Sequence, residues 1–335
     1  MDDLFVSTWQ QAKGDLVNNI IAAIPVFEAL KAAGCLVAQV GGDSIKRDIY
    51  YGVGSKTYIT KGSVLPIETP ELMTQATWNW RYFAAAITRN IIEDQQNSGE
   101  AARRNLVATR LEAARRACIE GIETDLFGVC TATASSPYEA GISAFQGLNE
   151  LVPPYGYYNY GYYGGIARAS PNTWWNCKMQ ALSSNPEVTL IDDMQQLYMA
   201  VSANMEAPNL IIASENLFRI YLSFGLNMSQ IVKDEGGRLV DLGYEVARFN
   251  GKPMIYQDLV KYNDGGAGSV GAIGTDDTML MLNTNYIELV HDPNMWFDIS
   301  EWKRAPRDPN AVAHILCCLN LITTQPRRHG RLYTT

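Results

Sequence analysis

Three histidines, His291, His314 and His329, are the residues in this 335-residue chain best suited to move a proton or hold a metal near neutral pH. No two are close enough in sequence to suggest a metal site, and no neighbouring Cys pattern completes one. A lone histidine in an apolar strand, as His314 is, reads as a hydrogen-bonded structural residue. The carboxylate pairs Asp192-Asp193 and Asp276-Asp277 read as a helix start and a turn, because Asp accepts local amide hydrogen bonds in both settings. Ser214 could serve as a nucleophile, but no His stands near it to act as base. Gly266, Gly268 and Gly271 satisfy a GxGxxG spacing, which binds a pyrophosphate when it follows a strand and opens a helix. Here it follows Lys261-Tyr-Asn-Asp264 and leads to the strand-like Met279–Asn283, so it reads as a loop. Cys35, Cys118, Cys130, Cys177, Cys317 and Cys318 lack CxxC spacing and read as small buried apolar residues. No catalytic residue, cofactor or metal is expected.

With catalysis unpromising, the elements themselves carry the reading. Hydrophobic residues at 47% against 19% charged describe a folded chain with a sizeable core. A net charge of −8 argues against general nucleic-acid binding, which needs a basic surface to neutralise phosphates; it leaves room for an acidic wall around nucleic acid. The acidic Met1–Phe5 start lacks the charge pattern of a secretion signal, and Pro25 interrupts the apolar run Ile20–Phe27 well short of the roughly 20 residues of a membrane span. Folding in a reducing cytoplasm is the expectation, without a membrane.

Along the chain, Trp9, Leu16, Val17, Ile20, Ile21 and Ile24 repeat at helical spacing in a segment then broken by Pro25, Gly34, Gly41 and Gly42. From Lys46 to about Thr88 aromatic residues alternate among Gly, Thr and Pro, predicting a long β-ribbon. Ala76, Trp78, Trp80, Tyr82, Ala84 and Ala86 are placed on one of its faces. A two-stranded ribbon is marginal alone and asks for a partner surface. A helix follows over 98–127, with Asn97 and Glu100 as a capping box and Val107, Leu111, Ala114, Cys118, Ile122 and Leu126 on its buried seam. At about 1.5 Å per residue it is a rod of roughly 45 Å, long enough to carry other elements.

Residues 128–185 are rich in loops. The tract Pro153–Gly165 offers tyrosines suited to a surface that meets another, or to an insertion loop packed on its own chain. A second amphipathic helix is predicted over 191–205, carrying Met194, Leu197, Tyr198, Val201 and Met205. The strand Asn209–Ser214 then enters a helix N-capped by Ser214, with Leu217, Phe218, Tyr221 and Leu222 on one face and Gly225 at its end. A strand begins near Lys252, another covers Met279–Asn283, and a long one covers Ala311–Thr324 with Ala313, Ile315, Cys317, Leu319 and Leu321 on one face.

Several stretches, in this order, resemble the major capsid proteins of tailed bacteriophages, which have the Hong Kong 97-like fold. They are Thr77–Trp80, Asn97–Gly99, Tyr163–Arg168, Thr173-Trp174, Ala207–Ser214, Asn250–Pro253, Met281–Thr284 and Arg328–Leu332, together about three quarters of the chain's course. The resemblance implies an α+β fold with an N-arm (1–45), an E-loop ribbon with flanking strands (46–90), and a P-domain (91–185) bearing the spine helix. An A-domain (186–285) and returning C-terminal strands (286–335) complete it. It implies a shell protein, not an enzyme, that self-assembles into pentamers and hexamers of an icosahedral head around double-stranded DNA, without sequence-specific binding. The location implied is the virion, after assembly in the host cytoplasm, with scaffold, portal and decoration proteins open as partners. The expected inter-subunit contacts are Trp78, Trp80 and Tyr82 on the ribbon, Arg103, Arg104, Glu112 and Arg115 on the spine, and Arg327, Arg328 and Arg331 near the end. An encapsulin-like nanocompartment shell shares the fold and is the alternative, with a soluble α/β enzyme as the rival of another class.

Overall fold

A computed structural model describes residues 24–52, 58–62, 71–90, 100–127, 146–153, 162–203, 206–227, 247–260, 277–304 and 310–334. The expected amphipathic piece before Ile24, the Asn97 cap, Cys130, Met205 and the Gly266 loop lie outside the described residues, as do the side chains of Arg103, Arg104, Val107 and Leu111.

The chain opens with helix α1 (Pro25–Ala32), strand β1 (Leu36–Ala38) and the ribbon strands β2 (Ser44–Tyr50) and β3 (Met73–Asn79), followed by β4 (Arg81–Asn90) and the long helix α2 (Glu100–Phe127). Pro25 starts a helix here rather than breaking one, because its fixed φ suits the first helical position. A short helix α3 (Leu148–Leu151) and the hairpin β5 (Tyr162-Tyr163) and β6 (Ile166-Ala167) lead to β7 (Lys178–Ala181), α4 (Pro186–Val201), β8 (Leu210–Ala213) and α5 (Glu215–Asn227). Then come β9 (Ala247–Phe249), β10 (Lys252–Tyr256), β11 (Thr278–Leu282), β12 (Ile287–His291), β13 (Asp298-Ile299), β14 (Lys303-Arg304), β15 (Asn310–Thr323) and β16 (Gly330–Tyr333).

Two sheets organise these elements. In the first, β15 is the spine: β12, β13 and β14 pair along it, β4 runs antiparallel to it from Asn310↔Asn90 to Leu319↔Arg81, and β1 extends it through β12. The expected face Ala313, Ile315, Cys317, Leu319 and Leu321 is buried. In the first half of β15 the other face is more open, with His314 exposed; from Cys317 to Thr323 both faces are covered. The helix α2 shares this core, and Ala114, Cys118, Ile122 and Leu126, three or four residues apart, are buried as the seam predicts. Helix and strand approach closely at Gly121, where a Cβ would stand 3.2 Å from the Phe83 ring. At the end of the rod, the Asn149 amide donates to the Phe127 carbonyl at 2.6 Å, satisfying one of the carbonyls a helix leaves open.

The second sheet has the order β7-β16-β11-β8-β10-β9. Its centre is fully buried: β8 and β11 hide every residue, as near-continuous apolar runs do when both faces are covered. Leu190, Met194, Leu197 and Val201 of α4 and Leu217 and Ile220 of α5 share a core with Ile211, Met279 and Leu332 of this sheet. Helix α4 begins at Pro186, five residues before the expected start. Asp193 therefore lies inside it and accepts from the Ser183 backbone amide and hydroxyl. Ser214 holds the position before α5, its carbonyl accepting from Phe218 N. Its hydroxyl, however, donates to Asp277 instead of serving the first helical amides. Gly225 does not end α5, which continues to Asn227.

Among the described residues no helix is long and apolar enough to cross a membrane. Cys35, Cys118, Cys177, Cys317 and Cys318 are free and buried, and burial pushes the Cys317 thiol up to about 12.

Candidate subunit-contact surface

The ribbon is made by β2 and β3 paired over seven residues, from Ser44↔Asn79 to Tyr50↔Met73. Its two faces differ. On one, Ile45, Ile49, Ala76 and Trp78 are buried along its length. The Trp78 indole meets Tyr163 edge-on at 5.7 Å, Thr77 N donates to the Gly164 carbonyl at 2.9 Å, and the Trp175 indole donates to the Tyr163 carbonyl. Tyr163 and Gly164 thus supply the ribbon's seat. Tyr51 stacks on Trp174, with centroids 4.4 Å apart and planes within 9°, and its hydroxyl donates to Glu71.

The opposite face and the described residues beside the stack are open to solvent. Tyr50 is 70% and Tyr58 85% exposed, and Ile59, Leu72 and Met73 are exposed too. Large apolar side chains exposed in this way among the described residues are the feature that marks an interaction surface.

The direction of the ribbon is set by polar contacts near its root. Arg47 pairs with Glu288 of β12 at 2.8 Å and donates to the Gln39 side chain; the Trp80 indole donates to the Gly42 carbonyl at 2.9 Å. Trp80 also separates β3 from β4, and the expected single aromatic face does not survive it. Ala76 and Trp78 point into the core, whereas Tyr82, Ala84 and Ala86 are exposed and Arg81, Ala85 and Ile87 are buried. The physical reason is the change of partner: β3 pairs with β2, β4 pairs with β15, and the intervening residue resets which side faces the core.

This corrects part of the expected contact set. Trp78 is internal, while Trp80 is half-buried at the pivot and Tyr82 is 60% exposed. On the long helix, Glu112 bonds Arg115 at 3.1 Å and Arg116 at 3.4 Å; the hydrogen bond from Arg115 chiefly holds its carboxyl below the usual range. Arg103 and Arg104 lie outside the described side chains. Arg327 is exposed, but Arg328 and Arg331 are buried and also fall out of the contact set. Arg331 donates to the Asn149 side chain at 3.0 Å and to the Val152 carbonyl at 2.9 Å, joining β16 to α3. Arg328 donates to the Ala203 carbonyl and stands 3.6 Å from Glu206. A guanidinium can be buried when carbonyls and amides receive its protons, as they do here for the terminal nitrogens.

Ser214 is fully buried with its hydroxyl committed to Asp277, and no grouping of His, Cys, Asp and Glu fit for a metal ion occurs among the described residues.

No family model matches the sequence, and no curated protein matches it. Solved structures do. Over 89% of this chain and 89% of the other, it is similar to a chain of the capsid asymmetric unit of Cyanophage A-1(L), with a TM-score of 0.61 and 14% identity. A structure from Mycobacterium phage Ogopogo matches with a TM-score of 0.53 and 11% identity, over 90% of this chain and 91% of that one. The SrpI encapsulin complex of Synechococcus elongatus PCC 7942 matches with a TM-score of 0.50 and 12% identity, over 89% and 83%. The chain therefore has the α+β, Hong Kong 97-like fold found in phage capsid structures.

Proposed function

We propose that this chain is the repeating subunit of a closed protein shell, and specifically the major capsid protein of a tailed double-stranded DNA phage. It assembles with itself, through pentamers and hexamers, in the host cytoplasm and resides in the virion. One observation carries the reading: a ribbon seated by one face in its own subunit leaves Tyr50, Leu72 and Met73 exposed, as Tyr58 and Ile59 are further along the chain. An exposed two-stranded projection of this composition is a liability in a monomer. In a lattice of identical subunits it becomes heterologous interface, where obligate contacts bury about 2,000 Å² or more.

The likeness to a capsid asymmetric unit over most of the chain supports the same reading. The net charge of −8 suits a wall that encloses DNA without holding it. Under this reading Trp80, Tyr82, Arg103, Arg104, Glu112, Arg115 and Arg327 remain candidates for contact from the expected set, joined by the exposed Tyr50, Tyr58, Ile59, Leu72 and Met73. The role is structural, not catalytic.

Electron microscopy of the expressed protein tests the proposal: closed shells are expected, and a single discrete species of 37.1 kDa under all assembly conditions would contradict it. The likeness to an encapsulin favours a second reading, a nanocompartment around protein cargo. Nuclease-protected DNA inside particles supports the phage head, and protein cargo without DNA supports the compartment.

A further inference from the structure

His329 lies where the two sheets meet, fully buried, with every polar atom engaged. Its backbone N–H donates to the Pro326 carbonyl and its carbonyl accepts from Lys178 N of β7. Its ring links two other segments. The Asn283 backbone N–H, just after β11, is 3.2 Å from Nδ1, and Thr323 Oγ1, at the end of β15, is 2.9 Å from Nε2. An amide can only donate, so Nδ1 must keep its lone pair. The ring proton is then on Nε2 and goes to Thr323 Oγ1, whose own proton goes to the Tyr286 carbonyl at 2.8 Å. One tautomer of the neutral ring satisfies this chain of donors, and imidazolium does not: a proton on Nδ1 would face the Asn283 N–H.

The same threonine reaches the ribbon. Thr323 N donates to the Tyr163 hydroxyl at 3.0 Å, the Tyr163 ring meets Trp78 edge-on, and the next residue, Gly164, accepts from Thr77 N. A continuous path of buried contacts thus runs from the joint between the sheets to the ribbon's seat.

We propose that His329 is an acid-sensitive coupling: taking up a proton, it loosens the joint at Asn283 and Thr323 and, through Tyr163, unseats the ribbon root. The ionisable groups around it do not favour the proton. Arg327, Arg328 and Arg331 are on its own segment and Lys178 is on the strand beside it. Glu206, the nearby carboxylate among these contacts, is engaged by the Tyr286 hydroxyl and by Arg328. Burial lowers the ring's pKa to about 3, whereas an opened ring returns to the ordinary 6.5. Between those values each unit of pH lost multiplies the opened population about tenfold. The inference concerns the subunit and does not rest on its assembly into shells.

Amide exchange read residue by residue on the full chain tests it, with protection corrected for intrinsic rates. The Asn283 amide reports the joint and the Thr77 amide reports the seat. Both should lose protection about tenfold per pH unit from pH 6 to pH 4. H329Q should flatten both profiles. Y163F, which keeps the histidine but removes the hydroxyl that accepts from Thr323, should flatten Thr77 alone. In the wild-type chain, a flat Asn283 profile would overturn the switch, and a sloping Asn283 with a flat Thr77 would overturn the coupling. An H329Q chain that retained both slopes would assign them to other groups. Should H329Q not fold, the wild-type and Y163F profiles decide.

Discussion

Gly164 lies against the indole of Trp78 so closely that a Cβ at residue 164 would stand 2.7 Å from two ring carbons, and its φ is +58°. The contact lets the glycine-rich hairpin come flat against the ribbon root. Gly164→Ala has both an unfavourable backbone conformation and a clash with a buried ring that also meets Tyr163 edge-on. A loss of about 2–4 kcal/mol is expected in chemical denaturation, overpacking and the left-handed φ acting together. An unchanged midpoint would mean that Trp78 is free to move.

Arg331 predicts a chemical distinction. Its guanidinium divides donors between the Asn149 side chain and the Val152 carbonyl, a fork that an ammonium does not reproduce. Arg331→Met should cost about 2–4 kcal/mol by leaving those acceptors unsatisfied, and Arg331→Lys should recover only part of it, both measured by thermal unfolding. Full recovery by Lys would show that charge alone matters there.

Acid stability follows from His329. Its folded pKa of about 3 lies below its ordinary 6.5, so the neutral ring's contribution is complete above pH 6.5 and is lost progressively as pH falls toward 3. The difference corresponds to about 5 kcal/mol at most. Urea midpoints taken from pH 7 to pH 4 should therefore decline in the wild-type chain and decline less in His329→Gln. Parallel declines would place the effect on carboxylates.

Much of the fold was legible because burial imposes periodicity. The seam Ala114, Cys118, Ile122 and Leu126 and the β15 face from Ala313 to Leu321 are both where spacing put them. A paired ribbon was readable for the same reason over β2 and β3, but its expected extent to Thr88 and its single aromatic face were not. Parity along a strand holds only while the strand keeps its partner, and the change from β2 to β15 at Trp80 leaves no mark in composition. Arg328 and Arg331 were read as surface because arginine usually is; the carbonyls that allow their burial come from residues 125 and 179 positions away. His329 was passed over for a related reason: its two ring partners, Asn283 and Thr323, are brought to it by tertiary structure. Tyr163, within a tract that reads as loop, is the residue on which the ribbon rests.

The contact reading separates folding from assembly. Tyr50, Tyr58, Ile59, Leu72 and Met73 are exposed within the subunit, so polar substitutions there should change unfolding by no more than about 0.5 kcal/mol each. Removal of residues 52–68 should likewise leave a folded subunit that forms rings or monomers and no stable shell. Normal shells from that deletion would end the ribbon's proposed role.

The most direct measurement is electron microscopy of Ile59→Asp/Met73→Asp beside the unsubstituted chain at equal concentration, with thermal unfolding of the same two samples. The unsubstituted chain should form closed shells, and the variant, unfolding at nearly the same temperature, should form none. Equal shells from both, or no shell from either under any assembly condition, would contradict the claim that this ribbon completes its burial only on a second copy of the chain.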